Sequence, residues 1–206
     1  MAKVPFADLS WRPQPGAETA ETRIVLHVGC GYARAEKLHP LFRTPNWREL
    51  RLDIDPAVGP DVIASMTDMG NVPAASVHAV WSSHSLEHLY AHEVAVALRE
   101  FNRVLVPGGF VLITVPDLAS LAHYVAEGRL EDPIYMSPAG PISAIDILFG
   151  CRALLEKGKS HMAHRTGFSS KTLASALHSV EFAKVTVKTD NRYNLWAVGY
   201  KGESAV

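Results

Sequence analysis

A glycine-rich turn directly follows an apolar run in the segment VLHVGCG (residues 25–31). Glycine has no side chain, so Gly29 and Gly31 allow the backbone to approach a ligand that a larger residue would block. A strand that leads into such a turn is typical of the nucleotide-binding sites of open α/β sheets. We therefore expect a nucleotide-like ligand to lie against Gly29, Cys30 and Gly31.

Acidic residues further along the chain indicate what kind of nucleotide-like ligand this is. Asp53 ends a second apolar run, and a carboxylate in that place accepts hydrogen bonds from both hydroxyls of a ribose. Asp55, two residues later, is a competing candidate for the same role. A further acid, Asp68, follows in the segment SMTDM (65–69). The glycine turn and these acids together predict an adenosine-bearing ligand.

The segments that carry these residues alternate between strand and helix patterns. Short apolar runs predict strands at 24–28, 49–53, 61–64, 77–82 and 110–115, and apolar residues at three- and four-residue steps predict helices at about 91–105 and 118–127. Strands that alternate with helices in this way form a mostly parallel sheet.

This alternation breaks over residues 128–168, where glycine and proline recur. Within this insertion a helix is expected at about 142–157. An insertion of this kind is either a lid or substrate wall beside the binding cleft or a packed surface excursion. Beyond it we expect one more helix and two strands, at 184–188 and 194–200, which pair antiparallel at the edge of the sheet.

Composition excludes several classes of function. The 206 residues fit one domain over 1–206, with an irregular lead-in at 1–22. The 20 basic and 21 acidic residues form no basic cluster, so nucleic acid is not an expected partner. No apolar run approaches the roughly 18 residues that span a bilayer, and the N-terminus lacks signal-peptide order. With only two cysteines, one of them in the glycine turn, a reducing cytoplasm is the expected location.

Five motifs in order give the chain a specific resemblance. The segments are VLHVGCG (25–31), LDIDP (52–56), TDM (67–69), SSHSLEHL (82–89) and RVLVPGGFVLITVPD (103–117). Their order and spacing resemble the class I S-adenosylmethionine-dependent methyltransferases. The resemblance implies an α/β fold with a doubly wound, mostly parallel seven-stranded sheet, helices on both faces and an antiparallel last strand. It also implies methyl transfer from S-adenosylmethionine, which leaves S-adenosylhomocysteine.

The resemblance also implies roles for residues of the first motif. Gly29, Cys30 and Gly31 would lie against the methionine part of the cofactor. Many family members place Asp or Glu at the position of His27, where the acid helps to hold the cofactor's ammonium group. A neutral histidine accepts a hydrogen bond but supplies no negative charge. Cofactor binding is therefore expected to be weaker, or to use another acceptor.

Further cofactor contacts follow from the next motifs. Asp53 would accept the ribose hydroxyls, with Ile54 beside the adenine. Asp68 would accept the adenine amino group, and the Met69 backbone would contact the ring. The alternatives are that Asp53 and Asp68 only cap turns and that Met69 only fills the core.

The motif after the fourth main strand would face the acceptor. Ser83 and His84 would lie near the sulfonium and the substrate. A general base is needed only where the nucleophile must lose a proton, and His84 and His88 are the candidates placed best for that role. His161 and His164 would join them if the insertion folds over the cleft as a lid.

Residues 84–88 also match the H-x-x-E-H pattern of a zinc peptidase family. On a helix His84, Glu87 and His88 would share one face. The pattern is short and lies where a methyltransferase strand ends, so a peptidase is rejected. Some methyltransferases that act on catechols or RNA ends hold a metal with E-x-x-E-H here, but His84 replaces the first Glu. We expect no metal and take Glu87 and His88 to brace the following helix.

Two other functions stay open as alternatives. An NAD(P)-dependent oxidoreductase would need a third glycine where this chain has Arg34. A non-catalytic binding domain with a methyltransferase-like fold is the second alternative. The acceptor is expected to be a small or sugar-like molecule methylated on oxygen, because Asn-Pro-Pro-Tyr is absent at Ser82–Ser85. Trp81, Tyr124, Tyr135 and Phe149 either form an acceptor wall or simply pack.

Overall fold

The computed structural model describes residues 22–137 and 140–203; nearly all of the predicted lead-in at 1–22 lies outside this range. The strands are β1 (Arg23–Val28), β2 (Trp47–Asp53), β3 (Val62–Ile63), β4 (Val77–Ser83), β5 (Leu105–Pro116), β6 (Pro133–Ser137), β7 (Gly140–Ser143), β8 (Phe182–Thr189) and β9 (Asn194–Lys201). The helices are α1 (Ala91–Val104), α2 (Leu118–Ala126), α3 (Ala144–Phe149), α4 (Arg152–Leu155) and α5 (Ser170–His178). None of the described helices is both long and apolar enough to cross a membrane.

Seven strands form the main sheet in the order β3-β2-β1-β4-β5-β9-β8. The pairs from β3 through β5 are parallel, whereas β9 is antiparallel to both β5 and β8. The predicted doubly wound α/β fold with an antiparallel last strand is thus confirmed. Because β1 and β4 are neighbours while β2 and β5 lie outside them, the chain reverses direction across the sheet at this pair. Open α/β sheets bind ligands at such a point.

The two faces of the sheet are covered differently. On one face α1 and α5 pack through Val94, Leu98, Phe101, Leu173 and Leu177, which are buried against alternate strand residues. The opposite face carries an aromatic cluster, and short 3-10 turns at Ala35–Lys37 and Pro40–Phe42 lie between β1 and β2. The cluster contains Phe42, Trp81, Phe110 and Trp196, with Trp47 and Tyr200 partly buried at its border. The turn after β1 is therefore followed by compact loops on this face.

Two sequence predictions need correction. The helix expected at about 142–157 is interrupted, because Gly150 adopts φ 99° and separates α3 from α4. Its first residues instead belong to β7, which pairs with β6 in a two-stranded antiparallel sheet. The strand expected at 110–115 begins at Leu105 and contains the residues Pro107-Gly108-Gly109, with a register shift opposite β4. These residues therefore form a bulge within a longer strand.

Candidate active site

The glycine turn after β1 has the strained backbone that its sequence predicts. Gly29 and Gly31 have φ values of 68° and 57°, in the left-handed region that side chains disfavour. A Cβ atom at Gly29 would also collide with the hydroxyl of Ser85, two residues after the end of β4. The Gly31 N–H donates to Oδ2 of Asp53 over 2.8 Å. The structure thus brings the predicted turn and the predicted ribose acid together.

The structure also separates the two competing acids after β2. Asp53 Oδ1 accepts the backbone N–H of Asp55 over 3.0 Å, while Oδ2 accepts the N–H of Gly31. The carboxylate is therefore fixed next to the glycine turn. Asp55 Oδ1 instead accepts the N–H of Ala57 over 2.9 Å and caps the 3-10 turn at Pro56–Val58. Between them Ile54 is 65% exposed, so its apolar side chain is accessible to a ligand. This arrangement favours Asp53 for the ribose and leaves Asp55 as a cap.

His27 is buried beneath the turn and is paired with an acid from the next strand. Its Nδ1 lies 2.6 Å from Oε1 of Glu49 on β2. Burial lowers the pKa of the His27 ring, and the Glu49 carboxylate offsets only part of this effect. A neutral ring that donates from Nδ1 to Glu49 leaves Nε2 as an acceptor. Sequence reasoning missed Glu49, because nothing in its spacing distinguishes it from other polar strand residues.

Two cavities lie on either side of His27 at this end of the sheet. One has a volume of about 480 Å³ and is lined by Cys30, Glu49, Arg51 and the residues 32–35, 37 and 38 among others. Arg51 donates to the carbonyl of Gly31 over 2.5 Å and so supports the turn from below. Burial raises the pKa of the Cys30 thiol to about 11. Cys30 is therefore an inert wall residue.

The second cavity, of about 540 Å³, lies where β1, β4 and β5 end and β9 begins. Its lining includes His27, Gly29, Ser83, His84, Thr114, Asn194 and two stacked indoles, Trp81 and Trp196. Thr114 is 2% exposed, yet its hydroxyl has no partner among the described residues. We call this space the β4 cavity. Sequence reasoning did not find Thr114, since one polar residue in an apolar strand gives no distinct signal.

The TDM motif (67–69) is held in place by side chains of α1. Met69 is fully buried, and its backbone N–H donates to Glu100 while its carbonyl accepts from Arg103. The backbone group expected to contact adenine is therefore already used, and Met69 is a core residue in this structure. Asp68 beside it is exposed, and its carboxylate accepts the N–H of Gly70 over 3.4 Å. Asp68 thus stays available for a ligand.

The two histidines predicted as bases have different positions. His84 adopts φ 49° at the mouth of β4, donates its N–H to the Thr114 carbonyl and lines the β4 cavity. Burial lowers the pKa of His84, but the hydrogen bond and charge of Glu87 outweigh it and the pKa is raised. His88 lies in the 3-10 turn Leu86–His88 and faces the insertion, where its Nδ1 contacts the Ala163 carbonyl. The structure brings His84 to the cavity, while His88 is absent from its lining.

The aromatic residues considered as an acceptor wall have separate positions. Trp81 lines the β4 cavity and donates its indole N–H to the Lys37 carbonyl. Tyr124 bonds the hydroxyl of Tyr193 over 2.9 Å. Tyr135 and Phe149, in the insertion, are 48% and 59% exposed. Of the four predicted candidates, Trp81 is the one that the structure places at the cavity.

Solved methyltransferase structures resemble this fold at low sequence identity. A complex between the Trm112 methyltransferase activator of Haloferax volcanii and a methyltransferase matches with 16% identity and a TM-score of 0.56, over 89% of this chain and 84% of that one. The 1,6-didemethyltoxoflavin-N1-methyltransferase of Burkholderia thailandensis, solved with 1,6-didemethyltoxoflavin and S-adenosylhomocysteine, matches with 14% identity and a TM-score of 0.53, over 89% and 72%. A methyltransferase dependent on S-adenosylmethionine from Archaeoglobus fulgidus matches with 14% identity and a TM-score of 0.56, over 88% of this chain and 87% of that one.

The sequence itself matches a family of methyltransferases. Among curated proteins, none matches the chain significantly in sequence. Residues 26–113, from β1 through most of β5, match the family described as a methyltransferase domain. That range contains the glycine turn, Asp53 and the mouth of β4. The chain therefore carries a methyltransferase domain match over residues 26–113, and its fold resembles solved methyltransferases that depend on S-adenosylmethionine.

Proposed function

We propose that this methyltransferase transfers the methyl group to oxygen on a small-molecule or sugar-like acceptor. The observation that carries this proposal is the β4 cavity, which adjoins the glycine turn and has His84 and Thr114 on its wall. Its volume of about 540 Å³ lies within the range of small-ligand pockets. The proposed acceptor therefore occupies a site next to the cofactor.

The residues around the turn fit S-adenosylmethionine. Gly29 and Gly31 supply a backbone surface without Cβ atoms. The methionine portion of the cofactor would lie against this surface and would also contact Cys30. The proposed ribose ligand is Asp53, with Ile54 beside the adenine and Asp68 at its amino group. His27 Nε2, backed by Glu49, is proposed to accept from the ammonium group. The pair supplies the negative charge that a histidine alone lacks.

The chemistry demands mainly alignment. A bound sulfonium donor is already activated, so its methyl group is displaced in line by the acceptor oxygen. The chain contributes by holding the two reactants in one geometry. We assign Ser83 to the contact region between donor and acceptor and His84 to the acceptor hydroxyl, from which it takes the proton. The unpartnered Thr114 hydroxyl gives the acceptor one more polar contact.

The choice of oxygen rests on this lining and on the missing Asn-Pro-Pro-Tyr motif. The similar N1-methyltransferase of Burkholderia thailandensis acts on nitrogen, so the shared fold does not determine the acceptor atom. The cavity lining mixes indole surfaces with hydroxyl, imidazole and amide groups, which suits a compact polar ring better than a nucleic-acid backbone. We propose that 1–206 act as one domain, located in the cytoplasm, whose insertion (128–168) forms a wall near this site.

The first experiment is a calorimetric titration of the purified full chain with S-adenosylmethionine, S-adenosylhomocysteine and NAD. We expect micromolar binding of both adenosyl ligands and none of NAD. A screen of hydroxylated acceptors with a radiolabelled methyl donor then tests the reaction. Labelled ether products support the proposal if their formation depends on His84. The variant His84→Ala should then lose turnover while its cofactor affinity stays unchanged. Transfer only to amines, or binding without transfer to any acceptor class, contradicts it.

A further inference from the structure

Three metal-ligating side chains outside the β4 cavity meet where the insertion touches the core. Glu87 and His88 belong to the 3-10 turn after β4, and His164 comes from the insertion, far along the chain. One ligand atom from each lies within 4.8 Å of the other two. Side chains so distant in sequence are brought to this point by the tertiary structure alone.

Both histidines are oriented by a backbone carbonyl. His88 Nδ1 lies 3.1 Å from the Ala163 oxygen, and His164 Nδ1 lies 2.8 Å from the Ile147 oxygen. A carbonyl only accepts, so each Nδ1 donates its hydrogen there, and Nε2 is the nitrogen left to bind a ligand. Metal-binding histidines are held in this way, with the second nitrogen donating to a carbonyl or carboxylate. The ring centroids are 5.0 Å apart, and one ring nitrogen of each histidine lies within 4.8 Å of the other.

The glutamate adds an independent observation that indicates a ligand. Glu87 is 1% exposed, and its Oε2 has no hydrogen-bond partner among the described residues. The other oxygen, Oε1, contacts His84 over 3.2 Å. A buried charged oxygen without a partner is costly, and a cation is the ligand that offsets this cost best.

We propose that Glu87, His88 and His164 bind a divalent metal ion, zinc in the first instance. Two imidazoles and one carboxylate are a known zinc ligand set that leaves a further position for water. Tetrahedral zinc with bonds of about 2.1 Å needs ligand atoms about 3.4 Å apart. The three side chains reach this separation from 4.8 Å or less by small rotations of their ends. This site differs from the sequence expectation of no metal and does not use His84 as a ligand.

The proposed ion would link the turn after β4 to the insertion, two segments that a backbone hydrogen bond already connects. Arg165 N–H donates to the Glu87 carbonyl over 2.8 Å, next to the histidine of the insertion. An ion here would add three strong bonds between the turn after β4 and the insertion. Because metal binding favours the folded state, it would stabilise the packing of the insertion against the turn after β4.

The test uses full-length protein without a histidine tag. After chelator treatment the protein is dialysed against buffered zinc, and bound zinc is counted by plasma mass spectrometry. We expect one zinc per chain, with affinity reduced at least about tenfold in His164→Ala and in Glu87→Gln. His161→Ala is the matched control, since His161 is exposed three residues from the proposed ligand and should bind zinc normally. No stoichiometric zinc, or equal loss in the control, overturns the proposal.

A second measurement covers the possibility that a variant does not fold. Thermal unfolding of the wild-type chain is followed with and without zinc, and the cobalt-substituted protein is examined by absorption spectroscopy. We expect a higher Tm with zinc and the intense visible bands of a four-coordinate cobalt site. An unchanged Tm together with the spectrum of octahedral aqueous cobalt contradicts the site. Titration with S-adenosylhomocysteine in the same samples reports cofactor binding separately, so failure of one proposal is distinguished from failure of the other.

Discussion

His27 Nδ1 lies 2.6 Å from Glu49 Oε1, and the two residues belong to neighbouring parallel strands. The sequence indicates a missing acid at position 27, where the family often has Asp or Glu. The tertiary structure supplies a carboxylate from β2 at the same place. Since β1 and β2 are in register with Val25 opposite Glu49, the glutamate side chain extends toward His27 on the same face of the sheet.

We predict that Glu49→Gln weakens binding of S-adenosylmethionine about tenfold, or ~1.4 kcal/mol. The amide keeps the size of the side chain but removes the charge that supports His27 beside the ammonium group. Calorimetry of the folded variant gives the affinity. Glu156→Gln is the control, because this exposed glutamate lies in the insertion and lines neither cavity. Equal affinity in wild type and Glu49→Gln would remove Glu49 from the cofactor site.

The two acids after β2 should respond differently to substitution. Asp53→Ala removes the proposed ribose acceptor and should weaken binding of S-adenosylhomocysteine by about 10- to 100-fold. Asp55→Ala removes a turn cap, so it should cost about 1 kcal/mol of folding stability and leave affinity nearly unchanged. Calorimetry and thermal unfolding of both variants give these values. If Asp55→Ala loses the cofactor and Asp53→Ala keeps it, the assignment is reversed.

Thr114→Val tests the unpartnered hydroxyl of the β4 cavity. Valine keeps the shape and removes a buried group without a partner, so stability should stay equal or rise by about 1 kcal/mol. Turnover of an oxygen acceptor should fall, because the proposed contact is lost. Ser82→Ala is the matched control, since Ser82 also has a buried hydroxyl without a partner in the described part of the chain but does not line the cavity. A Thr114→Val enzyme with normal turnover would show that the hydroxyl does not contact the acceptor.

Alkylation should distinguish the two cysteines. Cys30 is 1% exposed and its thiol has a pKa of about 11, so very little thiolate forms at pH 8. Cys151 is partly exposed and should react first with iodoacetamide, as measured by peptide mass spectrometry. Denaturation should make both thiols react at similar rates. Rapid labelling of Cys30 in the native chain would mean that the wall beneath the turn opens.

Asp146 should stabilise the insertion in a manner that depends on pH. Its carboxylate accepts from the Ser143 hydroxyl over 2.6 Å and from Arg152 Nε over 3.0 Å. Burial raises the pKa of Asp146, but the hydrogen bonds from Arg152 and Ser143 outweigh it and hold the pKa below its ordinary value. A depressed pKa stabilises the folded state above the unfolded value of about 3.9, and this contribution is lost as pH falls below it.

The variant Asp146→Asn should therefore lose about 2 kcal/mol at pH 7. The difference from wild type should shrink toward pH 3, because the wild-type carboxylate is then increasingly protonated in the unfolded chain. Denaturant unfolding at both pH values measures it. Arg129→Gln serves as a comparison, since its ion pairs lie on the surface, where solvent screens them, and should contribute little to stability at either pH. A difference that is constant with pH would exclude the charge as the cause.

Local patterns in the sequence were sufficient to predict the sheet and the part of the site formed by the glycine turn and Asp53. The apolar runs and the helical spacing of α1 predict elements within a few residues of those observed, because the period of buried positions follows directly from strand or helix geometry. The glycine turn and Asp53 are equally local, since a strand end determines where each lies. The insertion was predicted less well, because Gly150 and the β6–β7 hairpin depend on contacts beyond any short window.

The sequence by itself determined the fold class, the glycine turn and the resemblance to methyltransferases, since each depends on residue types at short, ordered spacings. Only the tertiary structure decided which distant side chains meet. It placed Glu49 against His27, used the Met69 backbone to bind α1, and brought His164 to Glu87 and His88. These relationships cross between strands or connect the insertion with the core. The physical reason is that packing sets them, and packing depends on the whole chain at once.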